Sequence, residues 1–162
     1  MHVYKNGVMM TDARWIFVID LIKKPGVLNA VTGVFTNWGV NLETTMLNDL
    51  GPEGSNGKLI LSFACTRRKM QILERTVSRL SKVVALQSYP YKTHELRMIA
   101  ACQVPLGYKA EEKEDIEIEF LKRRGDKQVI YITGTVADVD AYLKPMLERK
   151  EILELLIAIL TV

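Results

Sequence analysis

Histidine and cysteine are scarce in this chain of 162 residues, which contains two of each. His2 and His94 lie far apart in polar stretches, whereas Cys65 and Cys102 lie within apolar runs. Such a distribution provides neither the ligand spacing of a metal site nor a nucleophile paired with a base. We therefore expect no catalytic centre, no metal and no cofactor, and two buried free thiols in a reducing, cytoplasmic compartment.

Long hydrophobic runs are also missing. The longest, residues 155–162, has the length of a strand. It falls well short of the roughly 20 residues with which a helix spans a bilayer. The sequence does not open on a charged stretch followed by an apolar run, as a secretory leader would. We expect no membrane contact, and a chain long enough for one domain or two small ones.

Neither sign of charge dominates, because the formal net charge is +3 and the isoelectric point is about 8.8. This bias is too mild to indicate a nucleic-acid partner, and we expect none. The basic clusters at residues 67–69 and 123–127 are typical of solvated surface, with a docking patch for an acidic partner as the alternative.

The first half of the sequence alternates strand and helix patterns. Two segments place apolar residues at helical spacing, 27–38 and 66–81, the second with Thr66 as its cap. The segments between and around them have the length and β-branched content of strands: 14–22, 40–48, 58–65 and 83–91. The order is therefore βαββαβ, which predicts an α+β fold with an antiparallel four-stranded sheet and both helices on one face.

From residue 94 the order partly repeats. Strands are predicted at four places: 96–104, 116–121, 129–133 and 152–162. A helix at 136–149 follows the capping pair Thr135 and Asp138, and Pro145 should kink it. The first helix of this repeat is predicted to be short or absent, since residues 105–114 are few and polar.

Two assignments stay open at this level. Residues 109–123 read as a strand from the alternation at 116–120, although one charged helix is the alternative. Residues 1–12 read as a flexible arm or as a short strand at 8–10. The predicted organisation is an arm at 1–12, a first domain at 13–91 and a second, degenerate domain at 92–162.

The turn at residues 23–26 is the best candidate for a ligand site. Gly26 allows a ligand to approach the backbone closely. The N–H groups of Val27 and Leu28 then open a helix, where a carboxylate is favoured. The alternative is that Gly26 serves the turn alone.

Pro25-Gly26-Val27-Leu28, the apolar helix after it and Trp38-Gly39-Val40-Asn41-Leu42-Glu43 resemble the ACT domain, a small ligand-sensing regulatory module. The sequence is most similar to the small, regulatory subunit of acetolactate synthase. The resemblance covers residues 14–162, with residues 134–143 and the apolar last strand carrying it in the second half. It implies tandem ferredoxin-like βαββαβ modules, the second one degenerate.

The resemblance also implies a function. The chain would be a non-catalytic regulatory subunit that senses a branched-chain amino acid and modulates the catalytic acetolactate synthase subunit. Asn41 would lie beside the Gly26 pocket, and Asn48 would line its wall. The exposed edge of the strand at 40–48 and the apolar helix at 27–38 predict a homodimer.

Lys23 departs from the family pattern, in which Asp or Asn stands three residues before the glycine. A lysine repels the ammonium of an amino acid and attracts anions. Three explanations follow: a more acidic ligand, a Lys23 that points to solvent, or a module that only assembles. The alternative function is thus a stand-alone ACT-domain sensor or regulator of another pathway or of transcription.

Overall fold

The computed structural model describes residues 4–5, 8–9, 12–48 and 56–162. They fall into two compact units, which divide between Tyr91 and Lys92. At the start of the chain, β1 (Tyr4–Lys5) pairs antiparallel with β2 (Val8–Met9), so a short strand does form within the predicted segment 8–10. Residues 1–3, 6–7 and 10–11 of the predicted arm, and residues 49–55, lie outside the described residues.

The first unit follows the predicted order of elements. They are β3 (Ala13–Ile22), α1 (Val27–Asn37), β4 (Leu42–Asn48), β5 (Asn56–Cys65), α2 (Arg67–Ser78) and β6 (Val83–Pro90). The sheet has the antiparallel order β4-β5-β3-β6, so β3 and β5 are central and β4 lies at an edge. The predicted α+β class and ferredoxin-like order are confirmed.

Both helices of this unit pack on the same face of the sheet. Three rings from β3, α1 and β5 meet there edge to face, with centroid distances of 4.8 to 6.0 Å: Phe17, Phe35 and Phe63. Leu73 and Val77 of α2 belong to the same core. Burial of these large apolar side chains is the main stabilising contribution to the unit.

The end of α1 explains why β4 starts later than the sequence predicts. Gly39 adopts the left-handed conformation (φ +61°), and its N–H donates to the Thr36 carbonyl at 3.0 Å. The N–H of Val40 donates to the Phe35 carbonyl at 2.9 Å, which completes a Schellman motif. Val40 therefore closes the helix, and the strand begins at Leu42.

The second unit has the same strand order without the first helix. It contains β7 (Leu96–Pro105), β8 (Ile116–Arg124), β9 (Lys127–Thr135), α3 (Val136–Glu148) and β10 (Glu154–Thr161), in the antiparallel order β10-β7-β9-β8. Residues 106–115, all of them described, form no helix. The strand interpretation of residues 116–121 is confirmed over the helix alternative.

The predicted cap of α3 is confirmed. The N–H of Asp138 donates to Thr135 Oγ1 at 3.3 Å, and that hydroxyl donates to the Asp138 carboxylate. The helix continues past Pro145 to Glu148. No helix among the described residues is long and apolar enough to cross a membrane.

Candidate ligand site in the first unit

The turn between β3 and α1 depends on a glycine for its conformation. Gly26 has φ +80° and ψ −1°, a left-handed geometry that L side chains rarely adopt. A Cβ at this position would meet no described atom within 4 Å, so a side chain would have room. The glycine is required by the backbone conformation and not by a lack of space. The open side of the turn is therefore free for a ligand to approach the backbone.

One of the two backbone N–H groups that the sequence predicts for the ligand is already used inside the turn. The N–H of Val27 donates to the Lys24 carbonyl at 3.3 Å, so it is not free as the sequence analysis assumed. This bond is long, since N–H···O bonds are usually near 2.9–3.0 Å. The Val27 side chain is buried in the core, and the half-buried Leu28 packs against that core. Leu28 is thus the apolar residue of the turn that lies partly open to solvent.

A second lysine, Lys82, stabilises this turn, and the sequence does not predict its role. Lys82 Nζ donates to the Pro25 carbonyl at 2.7 Å, and the Lys82 carbonyl accepts from Ile22 N at 2.8 Å. Lys82 lies between α2 and β6, 57 residues along the chain from Pro25. No local sequence pattern indicates a contact over that separation.

Lys23 and Asn48 lie at the same end of the sheet as the turn. A Cβ added to Gly57 would lie 3.6 Å from Lys23 Cγ and 3.4 Å from the Asn48 carbonyl oxygen. The stem of the half-buried Lys23 therefore runs over the start of β5, beside the last residue of β4. The structure brings Lys23 and Asn48 near each other, at the end where α1 begins.

Asn41 lies at the opposite end of α1. The helix has 11 residues, which corresponds to about 16 Å at 1.5 Å per residue. The register agrees, because Leu42 pairs with Phe63 and Phe63 pairs with Trp15, near the start of β3. Within one chain, Asn41 is therefore not beside Gly26.

Asn41 instead lines a charged groove of about 360 Å³ together with Asp12, Glu43, Cys65 and Lys69. Lys69 Nζ donates to the carbonyl of Trp38 at 3.2 Å, where the negative end of the α1 dipole favours a cation. A lysine, two carboxylates and an amide so close together suit a zwitterionic ligand.

Glu43 of the groove is connected through Arg14 of β3 to Tyr91, the last residue of the first unit. Glu43 Oε2 accepts from Arg14 Nε at 2.8 Å and lies 2.7 Å from Arg14 Nη2. The Arg14 guanidinium also stacks 3.5 Å above the ring of Tyr91, the last residue of the unit. Arg14 therefore contacts both Glu43 of the groove and Tyr91, where the chain leaves this unit.

The Cys65 thiol in the groove is protonated at neutral pH. Burial raises the pKa of Cys65 to about 11, and the nearby Asp12 carboxylate acts in the same direction. Burial likewise raises the pKa of Cys102 to about 11. Both thiols stay protonated at neutral pH and react slowly. Among the described residues, no group of three or more His, Cys, Asp or Glu could hold a metal ion.

Comparison with known proteins agrees with this architecture. No family model and no curated protein matches the sequence. The acetolactate synthase small subunit from Thermotoga maritima is similar over 92% of this chain and 97% of its own, with a TM-score of 0.64 and 17% identity.

Two other solved structures are similar with TM-scores below 0.5. The regulatory subunit of aspartate kinase from Thermus thermophilus is similar over 86% of this chain and 92% of its own, with a TM-score of 0.45 and 13% identity. The ACT domain of a Chlorobium tepidum GTP pyrophosphokinase is similar over 49% of this chain and 100% of its own, with a TM-score of 0.43 and 22% identity. Of these three similarities, that to the Thermotoga maritima protein is strong enough to assign a fold, and at 17% identity it assigns no more than that. The chain has the ACT-domain fold in tandem, with a second unit that lacks its first helix.

Proposed function

We propose that this chain is a non-catalytic regulatory subunit of acetolactate synthase, which binds a branched-chain amino acid and modulates the catalytic subunit. The observation that carries the proposal is the extent of the similarity to the Thermotoga maritima small subunit, which spans 92% of this chain and 97% of that one. A single shared ACT module would match about half of this chain, whereas both units match here in order.

A homodimer would complete the ligand site. Gly26 and Asn41 lie at opposite ends of α1, and β4 lies at an edge of the sheet. A two-fold axis across α1 and β4 would set the helices antiparallel and bring Gly26 of one copy beside Asn41 of the second copy. Leu47 of β4, which is 44% exposed, supports this interface because dimerisation would bury it.

The chemistry of the two halves supports an amino-acid effector. The turn would offer the N–H of Leu28 to a carboxylate at the start of α1, with the Leu28 side chain as an apolar contact. The groove around Asn41 offers an amide and the carboxylates of Asp12 and Glu43 to an ammonium. A ligand held by both copies would favour one arrangement of the dimer, and the catalytic partner would respond to that shift.

The lysines around the turn favour a second candidate, a stand-alone ACT-domain sensor of an acidic small molecule in another pathway or in transcription. Lys23 is half-buried beside the turn, Lys24 is exposed next to it, and Lys82 donates to Pro25. This positive charge suits a second carboxylate or a phosphate better than an ammonium.

Mixing the purified chain with the catalytic acetolactate synthase subunit of the same organism tests the proposal. We expect the two to co-elute and the synthase activity to rise. Valine, leucine or isoleucine should then change that activity, and calorimetry on the isolated chain should detect the same amino acid. Absence of co-elution together with binding of a dicarboxylate would favour the second candidate instead.

We also propose a cytoplasmic location. Cys65 and Cys102 are free and buried, as is usual for thiols in a reducing compartment. Fractionation of cells, with detection of the protein in each fraction, should recover the chain in the cytoplasmic fraction. Recovery in the secreted, periplasmic or membrane fraction would contradict this location.

A further inference from the structure

The second unit leaves part of its helix-side face uncovered. Ile116, Ile118 and Phe120 of β8 pair with Gly134, Ile132 and Ile130 of β9 and point to the same side as them. A Cβ at Gly134 would lie 3.2 Å from Val139 of α3, so this is the side on which α3 packs. The exposure of these side chains increases along β8: Ile116 is buried, Ile118 is half-buried, and Phe120 is 51% exposed.

An open groove of about 590 Å³ lies over these residues. Its floor is Ile116, Ile118 and Phe120, and its rim is Glu112, Lys113 and Glu114. We call it the β8 groove. One wall of the groove comes from the connection between β7 and β8, the first and second strands of the unit. In the first unit, the corresponding connection is α1.

The segment that replaces the missing helix is fixed elsewhere and does not close the groove. Tyr142 of α3 accepts a hydrogen bond from Glu111 N at 3.0 Å, and its hydroxyl lies 3.4 Å from that of Tyr108. Gln128 Nε2 donates to the carbonyls of Pro105 at 3.3 Å and Tyr108 at 3.2 Å. The segment is therefore anchored to α3 and β9 while the floor on β8 stays open.

The rim carries a concentrated negative charge. Residues 111–115 contain four acidic side chains and one lysine, although the whole chain has a net charge of +3. Glu112 and Glu114 are exposed at the rim. Lys113 Nζ lies 5.5 Å from the centre of the Tyr142 ring, where a cation is stabilised. The β8 groove thus combines an apolar floor with an acidic rim.

We propose that the β8 groove is the docking site for an amphipathic helix of a partner protein, which seats apolar side chains on Ile118 and Phe120 and directs Lys or Arg towards Glu112 and Glu114. Such a helix would take the place that α1 has in the first unit. The charge of the rim matches a basic partner and rejects an acidic one. This inference concerns the second unit and stands independently of the ligand site proposed in the first.

A helix fits the groove better than the other occupants do. An added strand would pair with the edge of β8 and leave the floor uncovered, whereas a helix would cover it. A second copy of this chain lacks a suitable described helix, because the apolar faces of α1, α2 and α3 are already buried in their own cores.

The probe for this proposal is a synthetic amphipathic peptide of about 14 residues, four turns of helix, with leucines on one face and lysines on the other. A glutamate version and a scrambled version serve as controls. Titrated with the full chain, the lysine peptide should bind saturably and become helical, and added salt should weaken it. Neither control peptide should saturate.

Variants locate the binding surface. Phe120→Ser, and separately the pair Glu112→Lys with Glu114→Lys, should each weaken binding about tenfold or more. The matched controls lie on the opposite face of the same sheet. They are Leu156→Ser, at a side chain that is 68% exposed, and the pair Glu117→Lys with Glu119→Lys on β8 itself. Both controls should stay within about twofold of the unmodified chain. Circular dichroism checks that each variant folds.

Three results would overturn the proposal. One is the lack of saturable binding by the lysine peptide. Another is an equal loss in the opposite-face controls. The third is a self-association of the chain that Glu112→Lys with Glu114→Lys abolishes, since the groove would then belong to a second copy.

Discussion

The two units share a strand order and differ in what covers the sheet. In the first, α1 and α2 enclose Phe17, Phe35 and Phe63, none of which is more than 1% exposed. In the second, α3 and the segment between β7 and β8 lie on this face. Tyr142 and Gln128 bind that segment, and Phe120 is 51% exposed. The same strand topology therefore supports one closed helical face and one open one.

The difference indicates a division of tasks. Helix α1 gives the first unit the two features that its proposed ligand site needs, the Gly26 turn at one end and the Asn41 groove at the other. Loss of the corresponding helix removes both features from the second unit and leaves an apolar floor under an acidic rim. This difference is consistent with the two proposals, ligand sensing by the first unit and partner docking by the second.

The largest expected effect separates the closed face from the open one. Phe63→Ala should cost about 3–5 kcal/mol of unfolding free energy, as for other large buried rings, whereas Phe120→Ala should cost about 1 kcal/mol or less. Urea unfolding measures both. Both tryptophans, Trp15 and Trp38, belong to the first unit, so their fluorescence follows Phe63→Ala, and far-ultraviolet circular dichroism follows Phe120→Ala. Equal losses would mean that the open face is covered in solution.

Lys23→Asn sharpens the assignment of sensing to the first unit. If the ligand is acidic, Lys23 contributes a charged hydrogen bond worth roughly 1.5–3 kcal/mol, so the variant should bind about ten- to a hundredfold more weakly. If the ligand is an ordinary branched-chain amino acid, removing the positive charge should tighten binding. Calorimetry with both ligand classes distinguishes the outcomes by sign, and Lys109→Asn, at an exposed lysine of the second unit, is the control. An unchanged affinity for both classes would remove Lys23 from the site.

Tyr142→Phe tests whether a hydroxyl replaces a helix as the support of the second unit. The variant keeps the ring and loses the bonds to Glu111 N and Tyr108. We expect a loss of about 1–2 kcal/mol in urea unfolding and faster hydrogen exchange at the Glu111 amide. Tyr131→Phe, on the exposed face of β9, is the control and should be nearly neutral. Unchanged exchange at Glu111 would count against this support.

The smallest expected effect compares the helix caps that the units have in common. Thr66→Ala removes the acceptor of Lys69 N in α2, and Thr135→Ala removes that of Asp138 N in α3. Each should cost about 1 kcal/mol. Thr135→Ala should cost more, because its hydroxyl also donates to the Asp138 carboxylate. Thermal unfolding of both variants measures the difference, and a larger loss at Thr66 would contradict this ranking.

Local patterns predicted most of the fold and less of the site. Helical spacing, strand alternation and caps such as Thr66 and Thr135 depend on neighbouring residues, so the order of elements could be predicted and is confirmed. The sequence predicts that β4 starts at residue 40 rather than Leu42, because an apolar residue after Gly39 can either begin a strand or donate its N–H back to the helix, as Val40 does to Phe35. The contact of Lys82 with Pro25 joins residues 57 apart, which no local pattern reveals.

Subunit complementation tests whether the first unit binds its ligand at a site shared by two copies. Gly26→Asp places a negative charge at the turn, and Asn41→Ala removes the amide from the groove, so each homodimer should bind no branched-chain amino acid in calorimetry. After the two variants are unfolded together and refolded as a mixture, half of the dimers should be mixed, each with one intact site. If the site is shared by two copies, the mixture should bind the amino acid at about a quarter of the unmodified stoichiometry. No recovery of binding in the mixture, or no binding of any branched-chain amino acid by the unmodified chain, would contradict it.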